Sequence, residues 1–121
     1  MIPRLASVLV LVAALACAQR QPEWKSGDRV LCVRARTVGT VAERMAEGAA
    51  RGADTSADRD DILSYGRIVA NEASVADDPT LRDDARVAAS FARAGDANGA
   101  LQAFARMRET CQGLERVHGP A

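Results

Sequence analysis

Aromatic residues are scarce: Trp24, Tyr65, Phe91 and Phe104 are the whole set in 121 residues. A core must therefore come from Ala, Val, Leu, Ile and Met, which pack helices closely but bury little area per side chain. Lysine is reduced to Lys25 and histidine to His118, and 16 basic residues are matched by 16 acidic ones. That balance offers no basic field for nucleic acid. A single histidine near the end of the chain, with no second group in view to orient it, argues against a catalytic base or a haem ligand. Ser64 and Ser90 then lack the partner a nucleophilic triad requires, so neither catalytic residues nor a cofactor are expected. Asp58, Asp60 and Asp61, Asp77 with Asp78, and Asp83 with Asp84 lack the alternating carboxylates, central glycine and distal glutamate of a calcium loop. Helix capping and solvated charge are the expected roles, with no metal.

Long apolar runs are missing too, with one short exception. Met1-Ile2-Pro3-Arg4 supplies a positive charge, and Leu5 to Ala18 follows without any charge. The run is shorter than the ~20 residues of a spanning helix and has the form of a secretory signal. Residues 1–18 are therefore expected to be removed rather than folded. Two cuts compete. Ala16-Cys17-Ala18 is a small-x-small site for cleavage after Ala18, which discards the cysteine. Ala14-Leu15-Ala16-Cys17 resembles the lipobox of bacterial lipoproteins, which implies cleavage before a Cys17 diacylated on its sulfur; Ala14 stands where leucine is most usual. The lipobox is the favoured reading. It implies a membrane-anchored envelope protein, and the alternative cut implies a released one. Residues 19–27, polar and bearing Pro22, read as a flexible tether. Trp24 within it is expected at a membrane interface or against the end of the domain.

Either cut leaves Cys32 and Cys111 in the domain. An even pair in an exported protein is expected to form a disulfide.

Residues 28–116 read as one helical domain. Leu31, Ala35, Val38, Val41, Ala42, Met45 and Ala49 recur at three- and four-residue steps and predict a first helix over about 28–50. After the turn-rich "ADTSADRDD", Ser56 is the expected cap of a second helix whose apolar members are Ile62, Tyr65, Val69, Ala73 and Ala76, with Gly66 allowing a neighbour to approach. Pro79 fits the first turn of a third helix capped by Asp78 or Thr80, with Leu81, Ala85, Ala88, Phe91 and Ala92 inward. Gly95 stops it, and Asp96 caps a fourth over about 97–115 carrying Leu101, Phe104, Met107 or Arg108, Cys111 and Leu114. Residues 117–121 are expected to fray. The fold class is therefore all-α, a small up-down bundle of about four helices. Its topology places the start of the first helix and the end of the fourth together, which suits a Cys32–Cys111 bond.

"SFARAGDANGALQAFARM" resembles the turn and second helix of a tetratricopeptide repeat through Phe91, Gly95-Asp96, Ala100 and Phe104. Such repeats need stacked neighbours, and "IVANEASVADD" does not supply a second copy. The functional expectation is a non-catalytic envelope lipoprotein with a structural or protein-partner-binding role, its exposed face near Arg93 and Arg106. The alternative is a secreted carrier holding haem or a lipid-like ligand among Met45, Met107, Tyr65, Phe91 and Phe104.

Overall fold

The apolar stripes close on one another in the computed structural model, which describes residues 21–121. Four α-helices follow in order: α1 (Ser26–Ala50), α2 (Ser56–Glu72), α3 (Pro79–Arg93) and α4 (Ala97–His118), with a 3-10 turn at Ala73–Val75 after α2. The chain is an all-α bundle with Cys32 bonded to Cys111. The signal segment, with its lipobox and Cys17, lies outside the described residues.

Local chemistry explains most of the boundaries. Asp78 accepts a hydrogen bond from the Leu81 amide at 2.9 Å, with Pro79 in the first turn of α3, and Asp96 accepts one from the Gly99 amide at 2.9 Å. Each satisfies an amide that the helix itself leaves unpaired. The cap of α3 is thus Asp78 and not Thr80. At α2 the expectation is corrected: Ser56 is the first helical residue, and both its amide and its hydroxyl donate to Asp54 Oδ1, at 3.0 and 2.7 Å. The C-termini of α1 and α3 share one device. Gly52 and Gly95 have φ of +72° and +73°, and the amides after them, Ala53 and Asp96, donate to the carbonyls of Gly48 and Phe91. This left-handed turn reverses the chain while pairing orphan carbonyls, and glycine adopts it without a Cβ penalty.

Small side chains set how closely the helices pack. Each helix lies against its sequence neighbours and α1 closes onto α4, while α2 and α4 share a broader contact across the diagonal than α1 and α3 do. At the α2–α3 crossing a Cβ on Gly66 would collide with the Ala92 methyl and crowd the Ala88 carbonyl. Leu31, Ile62, Leu81, Phe104 and Met107 fill the interior between them and are fully buried. One member of the expected α1 stripe sits elsewhere: Ala49 is exposed and Gly48 takes the inward position, while Ala42 and Met45 are half-buried and Met45 packs against the core. The stripe drifts because 3.6 residues per turn carries a long helix's inner face gradually around its axis.

Candidate functional site

The start of α1, the end of α2, the start of α3 and the end of α4 meet at one end of the bundle, where most of the long-range polar contacts also gather. Cys32 and Cys111 join α1 to α4 there, with Cα atoms 5.5 Å apart and a sequence separation of 79. Both are buried, so the bond belongs to the packed interior.

Outside that bond the two chain segments fasten a second time. The Trp24 indole N–H donates to the Gly119 carbonyl at 3.0 Å, and its ring lies 5.1 Å from the His118 ring at a 42° tilt. His118 Nδ1 lies 2.8 Å from the Pro22 carbonyl, and since a carbonyl only accepts, Nδ1 carries the proton and donates. Gly119, buried with φ of +86°, turns the chain so that its carbonyl meets Trp24 and its amide reaches the Glu115 carbonyl at 2.8 Å.

Two expectations are corrected here. The stretch 117–121, expected to fray, is built into the folded end: α4 runs to His118, Gly119 is buried, and Ala121 packs on the edge of the core. The tether assigned to 19–27 is also too long, because α1 starts at Ser26 and residues from Pro22 onward are fastened to the end of α4. In both cases the cause is mutual pairing, which neither segment could achieve alone.

On the same end, Asp28 is a buried carboxylate whose Oδ1 accepts from the amides of Asp77 and Asp78 at 2.9 and 3.1 Å. It ties the α2–α3 connection to the first turn of α1. Arg34 grips Glu72 through Nε and Nη2, at 3.1 and 2.9 Å, and the Glu72 hydrogen bond raises the Arg34 pKa above its ordinary value. Charge-assisted bonds of this forked kind fix geometry as well as supplying energy.

Several of the remaining sequence candidates make ordinary ion pairs or pack in the core. Asp58 and Asp61 pair with Arg44 at 2.7 and 3.5 Å, Asp84 with Arg106 at 3.3 Å, and Asp83 with Arg86 at 3.9 Å. Among the described residues no three His, Cys, Asp or Glu side chains converge as a metal site would require. Ser64 and Ser90 are exposed on separate helices. Phe104 and Met107 are core residues, and Phe91 lies against Gly99 across the α3–α4 hairpin. A surface groove of about 430 Å³ between α1 and α2 is lined by Arg36, Thr37, Thr40, Arg44, Asp61 and Tyr65. Its threonine hydroxyls donate to the Val33 and Arg36 carbonyls. Among the described residues no helix is long and apolar enough to cross a membrane.

The pairing of Trp24 with His118 is the feature that sequence reading missed. One signal was available: Trp24 lies shortly before Cys32 and His118 shortly after Cys111, so bridging the cysteines brings both to one place. Comparison with protein-family models, curated proteins and solved structures gave no match.

Proposed function

We propose that the chain is a non-catalytic lipoprotein of the bacterial cell envelope, anchored through Cys17 and displaying its helical bundle as a structural or partner-binding module. The observation that carries this reading is the Cys32–Cys111 disulfide, located at the end of the bundle that receives the chain from Cys17. A buried disulfide is at home outside the reducing cytoplasm, and the apolar run before Cys17 with its lipobox resemblance supplies the route there. Two acyl signals on Cys17 are enough for stable anchoring. The engagement of several polar groups also supports a non-catalytic role: His118 fastens the chain ends, Asp58 and Asp84 pair with arginines, and Asp78 caps a helix.

The partner surface assigned by this reading lies on the α3–α4 hairpin, where Arg93 and Arg106 are exposed and Arg106 is braced by Asp84. Fractionation of cells expressing the full chain and its Cys17→Ser variant tests the anchor. The unchanged protein is expected in the membrane fraction and the variant outside it; an identical distribution of both overturns the reading. Site-specific cross-linking from position 93 tests the partner surface: an envelope protein captured there should be lost when Arg93 and Arg106 are both changed to Glu.

A further inference from the structure

If Cys17 carries lipid, the chain has only four peptide steps between the anchor and Gln21, a reach of about 14 Å at most. The chain is already fastened from Pro22 and Trp24 onward to His118 and Gly119. The bundle is therefore confined to within about that distance of its anchor. Whatever the lipid enters, the end carrying Trp24 and His118 is held beside it.

That same end is where apolar side chains are left uncovered. Of the large hydrophobic residues exposed among the described positions, Val30 stands at the start of α1, Val75 in the 3-10 turn, and Val117 in the last turn of α4; the other two are Ile68 and Val87. Val75 borders the α1 start, since its carbonyl closes on Gly27, and Val30 shares a surface groove of about 680 Å³ with Trp24, Arg29 and His118. Isolated exposed valines need no explanation, but three of the five at the tethered end are a feature to account for. Charges there carry both signs: Lys25, Arg29 and Arg116 against Glu23, Asp77 and Asp83. Attraction to anionic lipid is therefore not the source of contact.

We propose that this end of the bundle rests directly on the bilayer that holds the Cys17 lipid, with Val30, Val75 and Val117 touching the interface and Trp24 between them and the anchor. This rests on the lipoprotein reading. The contact is apolar, suits neutral lipid, and orients the α3–α4 turn at Gly95 away from the membrane. It gives the short connection after Cys17 a purpose, which is to present one end of the bundle and hide the other.

The chain contains a single tryptophan, so its fluorescence reports on this end alone. The membrane-extracted protein is reconstituted in phosphatidylcholine vesicles, with and without bromine on the acyl chains near the headgroups, and its intact mass is recorded. The expected result is an acylated mass and loss of Trp24 emission in brominated vesicles, retained at about 0.5 M salt where exposed charges are screened. The double variant Val75→Asp, Val117→Asp, whose changes fall on exposed side chains, is expected to recover most of that emission with an unchanged mass. Self-association cannot imitate this signal, because the quencher is in the lipid. An unacylated mass overturns the lipoprotein reading and the apposition with it. An acylated protein whose Trp24 is unquenched, or whose quenching ignores both substitutions, overturns the apposition alone.

Discussion

Removing the Cys32–Cys111 bond should cost the bundle a large part of its stability. The bond joins residues separated by 79 positions, so its loss frees almost the entire domain in the unfolded state. The chain-entropy relation gives about 4.5 kcal/mol for a loop of that length at 25 °C. Single domains are stable by roughly 5–15 kcal/mol in total, and this one has an alanine-rich core, so the unbridged protein is expected near the margin of folding. The perturbation is the pair Cys32→Ala and Cys111→Ala, which also removes two buried sulfurs without adding a polar group. The assay is urea unfolding followed by far-UV circular dichroism. With a urea slope of about 1–1.5 kcal/mol/M, as small domains show, the midpoint should fall by roughly 3 M or more. Reduction of the unchanged protein should reproduce the fall, since both treatments release the same loop. A midpoint lowered by less than about 0.5 M, well below the entropic estimate, would refute the claim that this bond governs the stability of the domain.

Three further expectations concern single residues. Asp28→Ala strands the Asp77 and Asp78 amides and should destabilise by about 3 kcal/mol, whereas Asp28→Asn keeps an acceptor and should cost less; equal losses by calorimetry would contradict the clasp. Gly66→Ala should destabilise by about 1–2 kcal/mol, because the collision with Ala92 outweighs the helix propensity gained; a raised unfolding temperature would show that the α2–α3 crossing is looser than described. The Ser56 hydroxyl and amide hold the Asp54 pKa below its ordinary value, so this contribution is present above the unfolded pKa of about 3.9 and lost as pH falls through the depressed one. The Ser56 amide resonance should accordingly titrate below pH 3.9, about the free-aspartate value, and a midpoint at or above it would remove Asp54 as the fastening of α2.

What the sequence disclosed was local. Asp78 before Pro79 and Asp96 after Gly95 are signals a few residues long, and each became the helix boundary it announced. The number of helices followed from periodicity, and the juxtaposition of Cys32 and Cys111 followed from that number. The residues that were not legible depend on meetings across the fold. Asp28 is one more polar residue at the start of α1, and only the return of the α2–α3 connection gives its carboxylate two amides. Trp24 lies in one of its two expected places, against the end of the domain, whereas His118 reads as part of a loose end until Trp24 is beside it. Gly39 has the low helix propensity of any glycine inside a helix, and only the fold shows the guanidinium of Arg108 lying across it.

Intact mass of the mature protein, taken from membrane and medium fractions without reduction, addresses the central claim most directly. The account predicts a membrane species beginning at Cys17, carrying added acyl mass and lacking the two hydrogens of a Cys32–Cys111 bond. A medium species beginning at Gln19, unacylated, would contradict the anchor and with it the apposition of the Trp24 end to a bilayer; free thiols at Cys32 and Cys111 would contradict the closure of the bundle.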